Sequence, residues 1–271
     1  MAGVPRVILV AAATANTGSS VVRALAACGG VAVRAMVRKL DDERVQELAT
    51  LPGVTLVQGD FDDAASVAVA LRGVDRALLV SAAFAYEQFE REASFIVEAA
   101  SAGISVVRIA TATALTMPGT RSHYGRTHHG IEAFAVARGY PVVNIRPDFY
   151  LTNAFFAAEE ISGFGQITYP SKGDRAGAGK QTHMVDPRDV ASAAATILML
   201  PTDQFAVFLA ARNIEVHGPA AVSFEEQARR FGADALERTR SWQASNSSRA
   251  VVKSILPYCP THTSTLGCLV A

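Results

Sequence analysis

Three short stretches hold the residues most open to chemistry. The first, Ala12-Ala13-Thr14-Ala15-Asn16-Thr17-Gly18, follows an apolar run and opens a segment of helical period. A strand, a short loop and a helix start together bind a diphosphate, because the unpaired amides of the first helical turn point at the anion. The second is Arg38-Lys39, at the end of the next apolar run. A site for NAD places an acidic residue there to hold the ribose 2′-hydroxyl, whereas an arginine there pairs with a 2′-phosphate. Position and sign therefore favour NADP(H). The third is Tyr124 with His128 four residues on, one helical turn apart on the same face. An imidazole titrates near neutrality and can serve proton transfer beside a phenol. Each stretch also has a plainer account: an empty strand–helix turn, basic residues offset by Asp41, Asp42 and Glu43, and a surface helix with incidental histidines. For His123 and His129 the plainer account is preferred.

These residues need a frame. Segments 6–11, 31–37, 54–57, 77–81, 105–110 and 141–145 are short and rich in Val, Ile and Leu, and read as buried strands. Helical period separates them at 17–28, 42–50, 63–71, 86–102 and 124–137. Such alternation predicts an α/β protein with a Rossmann-type, doubly wound parallel sheet. After Asn153 the rhythm breaks. Residues 169–180 read as loop, 187–199 as a helix opened by Pro187, 206–216 as a strand and 224–231 as a helix. The expected organisation is a dinucleotide-binding domain over 1–153, a small C-terminal α/β substrate-binding portion over 154–240, and a poorly structured Ser/Thr/Pro-rich tail over 241–271.

Composition narrows the class further. Half of the 271 residues are hydrophobic and 18% are charged, enough for a sizeable core. The formal net charge is zero, which leaves no electrostatic footprint for nucleic acid or an anionic membrane. Cys28, Cys259 and Cys268 are odd in number and scattered, against a disulfide framework or a zinc site. No metal is expected, since His123, His128 and His129 lack a further ligand at suitable spacing. The N-terminus shows no cleavable signal pattern and no apolar stretch reaches the length of a membrane span, so a cytoplasmic protein is expected.

Several further elements, in order, resemble the NmrA-like family of atypical short-chain dehydrogenases/reductases over about residues 5 to 235. They are the strand, loop and helix of 7–22, Gly59-Asp60-Phe61-Asp62-Asp63, Val80-Ser81-Ala82, Arg146-Pro147-Asp148-Phe149-Tyr150-Leu151-Thr152-Asn153, Val185-Asp186-Pro187-Arg188-Asp189-Val190-Ala191, and Gly218-Pro219 with Ser223. The family's loop is spaced G-x-x-G-x-x-G, which falls here on Ala12, Ala15 and Gly18. The resemblance implies a strained turn with two added methyl groups, each costing about 1–3 kcal/mol, and weakened NADP(H) binding. It places Gly59, Asp60 and Phe61 at the adenine, Val80, Ser81 and Ala82 beside the riboses, and Phe149 and Tyr150 along the cofactor. It makes Tyr124 the proton donor. His128 stands where a lysine would lower the phenol's pKa and hold the ribose. Thr111 stands near the usual serine, with Thr113 an equal candidate. Arg126, His128 and Glu132 match an R-x-H-x-x-x-E pattern of some relatives, while Asp186, Arg188 and Asp189 read as a capping and ion-pair cluster.

The implied activity is NADPH-dependent reduction of a small hydrophobic carbonyl, enone, imine or quinone-like compound, of the kind met in specialised metabolism. An alternative is a non-catalytic NADP sensor that acts through a protein partner, since sensing needs only differential affinity. A weaker alternative is a cofactor-independent isomerase or cyclase with His128 as base.

Overall fold

The computed structural model of the chain describes residues 3–82, 85–153, 181–223 and 226. Strands and helices alternate through β1 (Val7–Val10), α1 (Asn16–Cys28), β2 (Ala32–Val37), α2 (Glu43–Ala49), β3 (Val54–Gln58) and α3 (Ala64–Leu71). They continue through β4 (Arg76–Leu79), α4 (Gln88–Ser101), β5 (Ser105–Ile109), the short α5 (Thr113–Thr116), α6 (His123–Ala137) and β6 (Val142–Pro147). Then come β7 (Gln181–His183), α7 (Pro187–Met199), α8 (Thr202–Ala211), β8 (Asn213–Val216) and β9 (Ala221–Ser223).

Seven strands form one parallel sheet in the order β3-β2-β1-β4-β5-β6-β8. Successive side chains of a strand point to opposite faces, and here both faces are buried. Ile8 and Val10 meet α1, α2, α7 and α8 through Val21, Leu25, Leu48, Ile197 and Phe205. Leu9 meets α3, α4 and α6 through Leu71, Phe95, Ile96 and Ile131. The strand order reverses between β1 and β4, and a crevice opens at such a switch point beyond the carboxyl ends of the strands. The doubly wound sheet is the one the alternating pattern predicts.

Local chemistry sets the helix starts. Asp42, Asp63, Ser122 and Asp186 accept first-turn amides of α2, α3, α6 and α7. Helix α1 begins at Ala15, which offers no side-chain cap.

One element differs from its expected form. Residues 206–216, read as a single strand, divide into the end of α8 and the whole of β8, with Arg212 at φ 60° making the break. A short apolar run is ambiguous between strand and buried helix, and here Pro201 starts a helix that buries Phe205. Thus the portion beyond residue 154 contributes β8 to the main sheet and α7 and α8 to its face. Strands β7 and β9 pair separately and antiparallel, tied to the sheet by Asp148, which accepts from Thr182 Oγ1 at 2.9 Å and His183 N at 3.1 Å. At three residues each they are too short to show a period. The expected loop 169–180, helix 224–231 (apart from Glu226) and tail 241–271 lie outside the described residues.

Arg76 ties β4 to the far layer. Its guanidinium donates to the carbonyls of Leu198 and Leu200, at 2.9 and 2.5 Å, and lies 4.0 Å over the Phe205 ring. It thereby satisfies the end of α7, where carbonyls lack helical partners. Arg76→Met keeps the bulk and loses both bonds. Urea unfolding should show a loss of about 1.5–3 kcal/mol with an unchanged m-value.

Candidate functional site

The loop after β1 lies at the switch point. Ala11 and Ala13 donate to the carbonyls of Leu78 and Met36 in the flanking strands, and Ala15 N turns back to Ala12 O at 2.9 Å. Ala12 adopts φ 47°, a left-handed conformation that a glycine takes without cost and an alanine takes at about 1–2 kcal/mol. Its methyl packs against the core cluster that includes α1 and α7. Ala15, by contrast, has ordinary extended geometry, φ −69° and ψ 155°. The expected strain at two positions therefore reduces to one, because only Ala12 occupies a glycine conformation. Gly18 is fixed by packing: a Cβ there would stand 2.3 Å from Ala12 O. The turn is thus already formed over an uncapped α1 N-terminus, flanked by half-buried Thr14, exposed Asn16 and buried Thr17. These features fit a diphosphate.

Toward the sheet edge, Arg38 and Lys39 are exposed. Among the described residues Arg38 makes no ion pair; nearby Asp62 is engaged bidentately by Arg91 at 2.6 and 2.7 Å. Gly59 is buried where a Cβ would meet Met36 Sδ at 2.7 Å. Asp60 is held through its amide by Ser66 Oγ, and Phe61 packs edge-on to Phe95. Val80 is buried and Ala82 exposed, while Ser81 donates to Glu92 Oε1 at 2.6 Å. The Ser81 hydroxyl is therefore directed into the protein.

On the other side of the crevice, Thr111 hydrogen-bonds Tyr124. Gly125 makes this approach feasible, since a Cβ there would lie 2.1 Å from Leu115 O in the short α5 that follows Thr111. Thr113 instead accepts from Arg146 Nη1 at 3.0 Å and donates to Glu215. The two threonines are thereby separated: Thr111 serves Tyr124 and Thr113 an ion-pair cluster. Burial pushes the Tyr124 phenol above its ordinary range, an effect that Thr111 and the Arg108 charge only partly offset. The phenol is a neutral donor at working pH.

His128 differs most from expectation. It is 2% exposed and packs edge-on to Tyr124 with ring centroids 4.5 Å apart. Arg108 Nη2 lies 2.7 Å from its Nδ1, which must accept, so the ring proton is assigned to Nε2; the Gln88 amide nitrogen 3.3 Å from Nε2 is also a donor and does not accept it. Both nitrogens face protein groups. Burial and the Arg108 charge push its pKa down to about 2, so the expected titration near neutrality is corrected: His128 stays neutral.

Arg108 is the residue the sequence reading passed over. Fully buried in β5, it donates to Glu92 through Nε, lies 3.3 Å from Asn144 Oδ1 and 3.9 Å from Glu132. Glu132 pairs with Arg146, and Gln88 donates to Glu92 at 2.9 Å. Arg126, matched to the R-x-H-x-x-x-E pattern, is exposed and donates to Arg121 O. The guanidinium facing His128 thus comes from the sheet and not from α6. The available signal was a lone charge inside a strand that otherwise reads as fully buried. At α7, Asp186 caps the helix and pairs with Arg188 at 2.6 Å, as the sequence suggests.

A doubly wound parallel sheet with a preshaped turn at its switch point defines a Rossmann-like α/β protein. Residues 5–228 match the NmrA-like family, and the chain belongs to it. It is 31% identical over 220 residues to the (4-alkanoyl-5-oxo-2,5-dihydrofuran-3-yl)methyl phosphate reductase of Streptomyces griseus subsp. griseus, which covers 81% of this chain and 71% of that protein. Its fold is similar to that of an NADPH-dependent quinone oxidoreductase from Escherichia coli complexed with NADPH (22% identity, 89% of this chain and 76% of that one, TM-score 0.65). It is also similar to Citrobacter sp. triphenylmethane reductase complexed with NADP(H) (21% identity, 83% and 74%, TM-score 0.65). A third neighbour is NmrA, a negative transcriptional regulator (18% identity, 86% and 72%, TM-score 0.63). Among the described residues no helix is long and apolar enough to cross a membrane.

The buried neutral histidine gives a pH signature. Below the ordinary histidine pKa of 6.5 the unfolded chain binds a proton that the folded chain refuses until about pH 2. Stability from this group therefore falls with pH across that window, by up to about 1.4 kcal/mol per unit. Asp189 acts oppositely, because burial raises its carboxyl from 3.8 to about 6 and the folded chain gains that proton first. The diagnostic quantity is thus a difference. Between pH 6.5 and 5, urea-unfolding free energy should fall more steeply in the wild type than in His128→Gln.

Proposed function

We propose that the chain is an NADPH-dependent reductase of a small, conjugated carbonyl compound. The observation that carries this reading is Tyr124, whose phenol burial keeps neutral beside Thr111, at the same carboxyl end of the sheet as the preformed turn after β1. A group kept protonated beside a dinucleotide site suits delivery of a proton to an oxygen that gains negative charge.

The α1 amides and the Ala12–Gly18 turn would hold the diphosphate, and Arg38 with Lys39 the 2′-phosphate. Gly59, Asp60 and Phe61, then Val80, Ser81 and Ala82, would bound the adenosine half; for Ser81 the contact would be by backbone, given its hydroxyl's direction. Phe149 would close the crevice. When bound, the cofactor supplies hydride. Tyr124 donates a hydrogen bond to the substrate oxygen, transfers its proton as charge builds there, and is reprotonated from solvent. Thr111 orients the phenol. His128 is a positioning residue, whose ring fixes Tyr124 from the side.

The substrate class draws on the Streptomyces reductase, whose substrate by name is an oxo-dihydrofuran bearing an alkanoyl group. A reduced cofactor is supported by the shared fold of the NADPH-complexed quinone oxidoreductase. The strain at Ala12 leaves room for weakened affinity. The same crevice would serve a sensor if it bound nucleotide without turnover.

Two substitutions separate the parts of this reading. Tyr124→Phe should lower kcat by about 10²–10⁴-fold in an NADPH-absorbance assay with acylated dihydrofuranones, while its Kd for NADPH stays within about twofold. Nucleotide binding with no consumption of any such compound by the wild type would replace the reductase with the sensor. Arg38→Ala should weaken NADPH binding by about tenfold or more in calorimetry and leave NADH unchanged. Equal loss for both nucleotides would remove the 2′-phosphate assignment.

A further inference from the structure

The first turn of α6 is bordered by two other segments. On one side the Tyr86 ring, in the connection between β4 and α4, lies 5.8 Å from the His123 ring. On the other, Gly125 is pressed against α5 and the loop after it. A Cβ there would stand 2.1 Å from Leu115 O and 3.1 Å from Thr120 Oγ1. Successive residues of a helix are about 100° apart around its axis. Tyr124, which lies between His123 and Gly125 in the chain, therefore stands between the two segments. Thr111, which precedes α5, is hydrogen-bonded to it.

Both segments leave apolar side chains in water. Tyr86 is 84% exposed, Met117 55% and Leu115 39%, whereas Thr116, between the last two, is buried. Isolated apolar side chains at a surface are ordinary. Three on the two borders of one phenol make an apolar rim on the order of 300 Å², a size at which such patches are often functional. A protein partner covers roughly 800 Å² of each surface, so the rim fits a small molecule better.

We propose that this rim is the subsite for a linear alkyl chain on the substrate, with Tyr86 on one flank and Leu115 and Met117 on the other setting the preferred chain length. The inference rests on the reading of Tyr124 as proton donor and extends it from reaction to selectivity. A chain joined to the group that Tyr124 protonates leaves the site past the borders of the phenol, and both borders are apolar. Methylenes buried there are in contact before and during the reaction alike, so they lower KM and leave kcat nearly unchanged. The unbranched thioether of Met117 adapts to chains of different length, and the Tyr86 ring offers a broad apolar face with a wet hydroxyl.

The test follows NADPH absorbance with acetyl- and hexanoyl-substituted dihydrofuranones. It compares wild type with the double variant Tyr86→Ser/Met117→Ser and with Val207→Ser, which alters a 62% exposed side chain on α8, across the sheet from α6. In the wild type and in Val207→Ser, KM should fall about ten- to hundredfold from the acetyl to the hexanoyl compound, with kcat within about threefold. The double variant should lose about tenfold or more of that preference. A wild-type KM indifferent to chain length overturns the proposal, and so does a double variant that keeps the full preference. Sedimentation of the ligand-free proteins reads the other occupant: a wild-type dimer that the double variant dissociates gives the rim to a second copy and overturns the proposal as well. A wild type that consumes NADPH with neither compound instead refutes the reductase reading itself, and the inference falls with it, so the two failures are distinct.

Discussion

A guanidinium without access to water must be neutralised where it stands, and Arg108 is such a group in the middle of β5. Its Nε is paired with Glu92 of α4, its Nη2 with His128 of α6, and Glu132 and Asn144 lie within reach of Nη1. Arg146 from β6 holds Glu132 from the other side. Two cations and two carboxylates therefore share one nearly dry space, and removal of any one leaves its partner buried and unpaired. Apolar packing of α4 and α6 on the sheet tolerates small slips along the helix axes. The ion network tolerates them less, since a slip that lengthens or bends a charge-assisted hydrogen bond weakens it while its charges stay buried. The axial position of α6 follows from it, and with α6 the height of Tyr124 above the strand ends.

The same interaction decides the chemistry of His128. An imidazole that must accept at Nδ1 from an arginine cannot also carry a proton there, so the charge is repelled and the tautomer is set. A residue suited by type to proton shuttling becomes a spacer. Across the crevice the constraint is of another kind. Ala12 is held at a positive φ by Ala11 and Ala13, which continue the sheet's hydrogen bonds on either side, and by Gly18, which has no side chain to push the turn away. Cooperative folding of the sheet absorbs one unfavourable dihedral, and the diphosphate turn survives two lost glycines.

This division explains what the sequence made legible. The six strands, their parallel sheet and the helix cap at Asp186 follow from local period and local hydrogen bonding, which a single chain displays openly. The turn and Arg38 directly follow strands and Tyr124 lies in the first turn of α6, positions that local pattern alone displays. The roles of Arg108, Gln88 and Glu92 could not be placed in this way, because they arise only when α4, α6 and β5 come together. A lone arginine within Val106-Val107-Arg108-Ile109 is the trace such a network leaves. Likewise the choice between Thr111 and Thr113 depended on Arg146 and Glu215, which are distant in sequence. The helix 202–211 was hidden for a different reason: its apolar run has no period that distinguishes it from a strand.

Placing the cation in the sheet has a consequence for direction. A lysine on α6 would stand at the crevice and hold part of the tyrosine population ready to lose its proton. Arg108 acts from behind His128, with its charge largely consumed by Glu92, and burial dominates the phenol. In the proposed reductase the resting protein would then be in the form that reduction consumes, with the proton in place. The reverse reaction would start from a tyrosinate that exists only at high pH. Microscopic reversibility would keep both directions of the proposed reaction on the same path, but at neutral pH the fraction of protein poised for oxidation would be small. An arrangement of this kind, with Arg38 and Lys39 proposed to select a phosphorylated dinucleotide, would suit the proposed reductase if it works in one direction on the reduced cofactor.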